Sequence, residues 1–514
     1  MKNWIWAHVK AGGKSFFPIG LLCFAAFSPV LGGQFKGMDD DFSIVSNADL
    51  RHAENLPRIF TSGYFKGHDY YRPLVNASYL MEYQVFGLVP FFYYLDNILL
   101  HVLNAWLVFI LAGLLLRARK RGAVPEAAAS QACWIAWWAA LVFAVHPLHW
   151  EAVGNISGRA ILLCAAFVLG AFILWLRFLE DKKAGWLWLS AGCFSLGLVC
   201  KESAAMLIVA AALYLVISRR REWASLAAFA GVLVIYLVWR RHLGLTQVFP
   251  WRNDQELFLG VTSFLRGVFT YVRLVVMPAG LYFDRSAPLF TTLAAPGVWL
   301  TWAVYAAGAA AAWSARRRVD PLLLFCAGWF VIELFPVSQI LTSIGVQGGR
   351  ISLAEHFLYV ALIPACVMIA FTGAQAVPWM AARAGLASRV CRIAAGAVVL
   401  FMVMTSLQQS FYASNEAAML KQSLAADVHN ARVHAALAML YVRAADYSKA
   451  EAHFRAAVLL DPAEVRYAIS LGKSLEDQGR YEAALAVYAF VKEPGSWKML
   501  LEENIASARR QLKK

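Results

Sequence analysis

The sequence predicts an all-α polytopic membrane protein of about eleven transmembrane helices that ends in a short α-helical repeat. Three observations predict it. The 514 residues are 60% hydrophobic and only 15% charged, a balance that soluble domains do not show. Lys and Arg occur in short clusters between long apolar runs, so the net charge of +15 reads as membrane orientation and not as a nucleic-acid footprint. After Phe411 the long apolar runs stop, charges of both signs appear regularly, and small and large residues recur on a 34-residue period. Nineteen Trp, 19 Tyr and 33 Phe suit many bilayer interfaces, where aromatic rings sit half in lipid. The eight Cys (Cys23, Cys133, Cys164, Cys193, Cys200, Cys326, Cys366, Cys391) lie almost wholly within apolar runs and lack paired ligand spacing. Neither a disulfide framework nor a zinc site is expected of them.

A span needs roughly 20 apolar residues. Suitable runs fall at 15–33, 88–116, 132–150, 157–176, 185–200, 203–217, 223–239, 292–313, 321–341, 355–375 and 393–412. Lys2, Lys10 and Lys14 precede the first run, and Ser28-Pro29-Val30-Leu31-Gly32-Gly33 is a poor cleavage site, which favours an uncleaved signal anchor. Positive residues stay in the cytoplasm. The N-terminus is then inside, and 34–86 forms the first external loop. Parity places Arg117-Ala-Arg-Lys-Arg121, Arg177 with Lys182-Lys183, Arg219-Arg220-Arg221, Arg316-Arg317-Arg318 and Arg383 with Arg389 and Arg392 inside. These inside segments hold nearly all of the positive excess. Arg240-Arg241-His242 is the exception; the two arginines either snorkel at a helix end or hold an anionic head group. The stretch 260–281, which carries Arg266 and Arg273, reads as interfacial or re-entrant.

The membrane domain thus covers 1–412, and a second domain, extracytoplasmic by parity, covers 413–514. Within it, units at about 431–464 and 465–498 superimpose. Leu437, Ala438, Tyr441, Ala450, Phe454, Ala457 and Pro462 of the first match Leu471, Gly472, Leu475, Ala484, Tyr488 and Val491 of the second on one template. These are tetratricopeptide-repeat positions, where small residues let paired helices approach and large ones fill the seam. Helices near 414–426 and 497–513 are expected to cap the pair. Such a module either presents a concave peptide-binding surface or packs as a cap on the membrane domain.

Ionisable residues beside spans are functional suspects, and five groups stand out. Asp39-Asp40-Asp41 follows the first span; adjacent carboxylates repel, which suits a general base, although an acidic loop or a calcium contact has the same composition. Arg72 precedes a Pro turn and is either a phosphate ligand or a surface arginine. His146-Pro147-Leu148-His149-Trp150-Glu151 leads through Gly154 and Gly158 to Arg159; its spacing matches no established zinc pattern. Lys201-Glu202 either neutralises itself at a helical hairpin or belongs to a site. Arg350 precedes Glu355-His356 at the tenth span. All five fall on the outer side by charge topology, where Lys, Arg and His suit a phosphate leaving group.

At these residues the sequence resembles the transmembrane and tetratricopeptide-repeat O-mannosyltransferases and their bacterial relatives, in the C-type, polyprenyl-phosphate-dependent glycosyltransferase superfamily. The carrying stretches are MDDDFSIVSNADL, YYRPLVNASYLMEY, LDNILLHVLNAWLV, HPLHWEAVGNISGRAILL, LVCKESAAM and AEHFLYVALIPA, followed by the repeats. The resemblance implies the C-type glycosyltransferase fold and an inverting transfer of one mannose-like sugar from a polyprenyl phosphate to a protein Ser or Thr hydroxyl. It implies Asp39 or Asp40 as base, while Asp41 falls where the family commonly has another residue. Donor phosphate binding falls to Arg72, Arg159, Lys201, Arg240, Arg241, Arg350 and His356. The acceptor pocket falls to His146, His149, Glu151, Glu202 and Glu355. His356 stands where the family usually has Arg, which weakens phosphate binding there or makes it pH dependent, and Arg350 is placed to compensate.

The expected partners are the lipid-linked donor, membrane lipids and a protein acceptor recruited by the repeats, with no nucleic acid and no tightly bound cofactor; the residues leave metal dependence open. The expected setting is a bacterial inner membrane with the N-terminus cytoplasmic and the repeats periplasmic. One alternative is transfer to a lipid or polysaccharide. Another, of a different class, is a membrane scaffold for envelope or pilus assembly.

Overall fold

The computed structural model describes residues 16–37, 39–64, 70–119, 126–245, 253–340, 348–383 and 388–513. The orienting Lys2, Lys10 and Lys14, and Lys120 and Arg121 of the second basic cluster, lie outside them. Helices dominate in chain order: α1 (Phe16–Gly32), then α2 (Leu56–Phe60), α3 (Pro73–Phe86), α4 (Pro90–Ala118), α5 (Glu126–Val145), the single turn α6 (Trp150–Val153), α7 (Arg159–Asp181), α8 (Ala184–Leu198), α9 (Met206–Ser218), α10 (Leu226–His242) and α11 (Asp254–Val276). Next come strand β1 (Ser286–Pro288), α12 (Pro296–Ala315), α13 (Pro321–Leu334), strand β2 (Arg350–Ser352), α14 (Leu358–Arg383) and α15 (Ser388–Ser414). The tail holds α16 (Glu416–Ala426), α17 (Ala431–Arg443), α18 (Tyr447–Leu460), α19 (Val465–Asp477), α20 (Tyr481–Ala489) and α21 (Lys498–Leu512).

Seven of the described helical segments are long and apolar enough to cross a membrane: α4, α11 and the stretches Ala128–Val145, Ile156–Asp181, Trp223–His242, Glu355–Val377 and Arg389–Ser414. The shorter apolar segments Phe16–Gly32, Ala184–Leu198, Glu202–Ser218 and Pro321–Val337 reach only about 25 Å at 1.5 Å per residue, less than the roughly 30 Å hydrocarbon core. The expected count of about eleven is not met by this measure. Residues 260–281 fall largely within α11, a continuous 23-residue helix; α12, which matches the expected 292–313 run, is not among the seven. The stretches carrying α10 and α15 are only 22% and 17% buried, and their outer faces (Val234, Ile235, Val238; Ile393, Leu400, Met404) are apolar, as lipid contact requires.

Helix α4 packs on α5 and α7, α5 on α14, α14 on α13, and α7 on α8. The basic turns meet at one end of this bundle: Arg119 pairs with Asp320 at 2.6 Å, Lys182 with Glu222, and Arg220 donates to the Leu179 carbonyl. The other ends of the same helices carry the site. There the all-α expectation gains a small exception, the antiparallel pair β1–β2 with Ser286 opposite Ser352 and Pro288 opposite Arg350.

The tail folds as the hairpins α17–α18 and α19–α20, with α16 before and α21 after. Leu437, Ala438, Ala450, Phe454, Leu475 and Tyr488 are buried at the seams. A side chain at Gly472 would place its Cβ 2.2 Å from the Tyr488 ring, so only glycine lets these two helices close. One apolar core runs without a break from α1 through the bundle into Met419, Leu420, Val433 and Leu437 of the tail. The tail is therefore packed onto the membrane body.

Candidate active site

The acidic motif sits where the chain leaves α1. Asp40 is 2% exposed, its Oδ2 accepts the Lys36 backbone N–H at 3.0 Å, and the Ser157 amide also points at it. Lys36 is buried as well; its Nζ donates to the Gly154 carbonyl and to Asn155 Oδ1 at 2.7 Å. These bonds fasten the loop to the turn that opens α7. Gly154 and Gly158 make that turn possible, since a Cβ at either would lie 2.6 Å from the Trp150 carbonyl or 2.0 Å from that of Ala152. Asp39, beside them, is exposed.

Burial raises the Asp40 carboxyl to about 6, against the pull of Lys36. Burial likewise lowers the Lys36 ammonium to about 8, with Asp40, Glu416 and Glu151 opposing it. Both groups are charged only between about pH 6 and about pH 8. The stability signs follow from linkage. The raised carboxyl makes the fold less stable as pH rises toward 6, and the lowered ammonium makes it less stable as pH falls toward 8. The charged pair thus disfavours folding at neutral pH, where it is nonetheless kept. If the charged pair holds the loop for catalysis, activity follows a bell with limbs near pH 6 and 8. Lys201, also lowered to about 8, shares the alkaline limb, so a pH–rate series on wild type and Asp40→Asn checks the acid one; an acid limb near pH 6 that survives the substitution counts against it.

A second group of charges lies where α3, α8, α9 and α10 converge. Arg72 Nη2 meets Glu202 Oε2 at 3.5 Å and lies over the Tyr70 ring at 4.6 Å. Arg72 Nε and Glu202 Oε1 are buried without partners among the described residues. Lys201 does not pair with Glu202, which removes the reading of a self-neutralised dipeptide. Its ammonium is lowered to about 8, first by burial and then by Arg72. Arg240 is buried against Tyr236, and Tyr236 feels both Glu202 and Arg72. The Arg72 guanidinium also lies over the Tyr64 ring, 5.5 Å from its centroid, and the Tyr64 hydroxyl is within electrostatic reach of Asp39 and Asp40.

A third group joins Glu151, His356 and Glu355. Glu151 accepts from His356 Nδ1 and from its backbone N–H, both at 2.9 Å; burial raises this carboxyl, but His356 outweighs it and holds it low. Glu355 is fully buried, with Trp150 Nε1 at 2.7 Å and Arg285 Nε and Nη2 at 3.1 and 2.8 Å.

Several expectations need correcting. Arg159 is not free for phosphate: its Nε, Nη1 and Nη2 bond Asn97, Ser78, both oxygens of Glu82 and the Tyr93 carbonyl, which uses all five donors. Arg241 is exposed beyond the cluster, because adjacent helical residues point about 100° apart. Arg350 does not lie beside Glu355; it binds Asp427 and Ser286, and the arginine that pairs with Glu355 is Arg285. His146 and His149 are core residues. His146 spends its nitrogens on the Val275 carbonyl at 3.1 Å and the Leu148 amide at 3.3 Å. The His149 ring packs among Phe143, Tyr359 and His101 at 4.4 to 4.7 Å. Only Glu151 of that motif faces the site. Among the described residues, no three His, Cys, Asp or Glu side chains converge as a metal set.

The sequence reading missed Lys36, Arg285, Asp284 and Arg432. Lys36 lies in the acidic stretch itself, and Asp284-Arg285 is a charged dipeptide just after an apolar run, so both carried a signal. Arg432, in the tail, carried none.

No family model matches the chain. It is 25% identical, over 88% of its length, to protein O-mannosyl-transferase Tmtc3 of Drosophila melanogaster, of which it covers 56%. It is 24% identical, over 94% of its length, to protein O-mannosyl-transferase TMTC4 of Mus musculus, of which it covers 66%. Homologues across most of the chain are protein O-mannosyl-transferases. The chain spans about half to two thirds of the length of these two relatives. A shorter stretch, 30% of the chain, is 35% identical to protein O-mannosyl-transferase TMTC1 of Mus musculus. Because the likeness to the mouse TMTC4 protein leaves only 6% of this chain uncovered, everything from Lys36 to Arg432 lies inside it. All three site groups therefore belong to the part shared with O-mannosyl-transferases.

Proposed function

We propose that the chain transfers one sugar, mannose or a close relative, from a polyprenyl phosphate to a Ser or Thr hydroxyl of a protein, with inversion. The observation that carries this reading is an exposed carboxylate, Asp39, on a loop fastened by buried Lys36 and Asp40, beside a half-buried cation cluster in which Arg72 Nε has no partner among the described residues. The names of the relatives support mannose and a protein acceptor. Asp39 accepts the hydroxyl proton as the acceptor oxygen attacks C1; the bond from C1 to the phosphate oxygen breaks, and its electron pair leaves with the polyprenyl phosphate. Lys201, Arg72 and Arg240 neutralise the departing phosphate. Asp40 positions the loop, and Glu202 orients Arg72. Positive-inside charge supports a site on the periplasmic side of a bacterial inner membrane, with the N-terminus cytoplasmic and the repeats on the same side as the site.

The donor half of the proposal is tested by binding. Lys201→Met in the full chain, titrated with polyprenyl-phosphate mannose in detergent, raises the Kd about tenfold, or roughly 1.4 kcal/mol, because one fixed charge on the phosphate is lost. An unchanged Kd in Lys201→Met and in the Arg72→Met, Lys201→Met double variant removes this cluster from the donor site.

A further inference from the structure

A shallow, open cleft lies between the β1–β2 pair and the start of α17, lined chiefly by Asp284, Ser286, Arg350, Ser352, His429 and Arg432. We propose that this cleft is the acceptor subsite, where an extended polypeptide lies with its hydroxyl side chain directed toward Asp39. The inference rests on the functional reading above and adds the place and the class of ligand.

Three observations carry it. The floor is one face of the short sheet: Arg350 and Ser352 are two apart on β2, and Ser286 is paired across from Ser352, so their side chains share a face. That face is polar, with the Arg350 guanidinium held by Ser286 and Asp427, and a polar floor suits a peptide backbone and disfavours a polyprenyl chain. The walls come from the two halves of the molecule and are locked together before any ligand arrives. Asn430 Nδ2 donates to the Asp284 carbonyl at 2.8 Å and to its carboxylate at 3.1 Å, Arg432 pairs with Asp284 at 3.4 Å, and Arg350 pairs with Asp427. Preformed walls reduce the ordering penalty of binding. Finally, the cleft adjoins the third site group: Asp284 is followed by Arg285, which bonds Glu355 at 2.8 Å, and the next residue, His356, pairs with Glu151 at 2.9 Å. The Arg432 guanidinium is held above its ordinary value first by Asp284, against burial, and then by Asp39; Asp284 in turn lies within electrostatic reach of Glu151 and His356. The tail thus closes the site as well as packing on the bundle.

Two measurements on the full chain test this. A photoreactive side chain at position 429, an exposed rim residue, should cross-link a biotinylated peptide rich in Ser and Thr, and excess unlabelled peptide should compete while polyprenyl phosphate should not. Cross-linking that is absent, or that polyprenyl phosphate suppresses, overturns the assignment. In a transfer assay with polyprenyl-phosphate mannose and the same peptide, His429→Trp should raise the peptide KM about tenfold and leave hydrolysis of the donor by water unchanged. Arg432→Gln should raise the same KM, with Arg432→Lys recovering most of the loss. An unchanged KM in both, or hydrolysis that falls in parallel in His429→Trp, removes the acceptor from the cleft. Failure of the functional reading looks different: the peptide still cross-links, but the labelled sugar never reaches it.

Discussion

Asp39→Asn should lower the kcat of sugar transfer by about 10²- to 10⁴-fold, the contribution typical of a positioned general base, while the donor Kd stays at its wild-type value. The substitution keeps the shape and the exposure of the side chain, and among the described residues Asp39 makes no side-chain hydrogen bond that holds the loop; its carbonyl accepts from the Ser43 hydroxyl. The loop fastening through Lys36, Asp40, Gly154 and Asn155 is untouched, so a loss of rate without a loss of folding or donor binding isolates the proton transfer. Asp40 differs. Its carboxylate is enclosed and bonded to the Lys36 amide, so Asp40→Asn disturbs loop position, and its loss should come with a changed pH profile. Steady-state kinetics with tryptophan fluorescence melting separates the two; a variant Asp39→Asn that transfers at the wild-type rate removes Asp39 from the chemistry.

Glu82→Ala should destabilise the fold by about 3–5 kcal/mol, the effect of stripping one partner from a buried ion pair. Arg159 is 1% exposed and Glu82 6%, and they meet through two parallel bonds at 2.9 and 3.1 Å. With Glu82 gone, an arginine at the head of α7 keeps its charge and is left with only the more distant, half-exposed Asp96, at 3.8 Å, as counter-charge. Asn97 and the Tyr93 carbonyl remain as partners and do not replace a carboxylate. Removing both ends in Glu82→Leu, Arg159→Met should recover a large part of the loss. Thermal unfolding of the detergent-solubilised chain reads both; a single variant that melts with the wild type means that the pair is not holding α3 to α7.

The pair also shows what could and could not be read beforehand. A charged residue at the end of an apolar run stands out because burying charge is expensive, and on that basis Asp39, Asp40, Glu151, Arg159, Lys201, Glu202, Arg350 and Glu355 were all visible. Which of them face a ligand was not visible. Arg159 and Glu82 are 77 positions apart, Arg285 and Glu355 are 70 apart, and Lys36 and Asn155 are 119 apart; no local period encodes such pairings. Arg159 therefore passed for a phosphate ligand when it is a strut, and Arg350 for a substitute arginine when it clamps the tail. His146 and His149 were noticed for their chemistry, yet the turn after α5 directs both rings into the core and Glu151 toward His356. Span number suffers from a related limit, since an apolar run of 15 to 17 residues reads like a span until its helix is seen to be short. The helical hairpins of the tail were the most legible part, because their seam residues recur at fixed offsets and need no distant partner.

The central claim is that this chain alone moves a sugar from a polyprenyl phosphate to protein through the loop that bears Asp39. It is tested most directly by reconstituting the purified full chain in vesicles with polyprenyl-phosphate [14C]mannose and a Ser- and Thr-rich peptide, then following the label. The account predicts alkali-labile label on Ser or Thr of the peptide with wild type, and near-background label with Asp39→Asn at equal protein and equal bound donor. Label that stays with lipid, that passes to a glycolipid or polysaccharide instead of the peptide, or that reaches the peptide equally well in both proteins would contradict it.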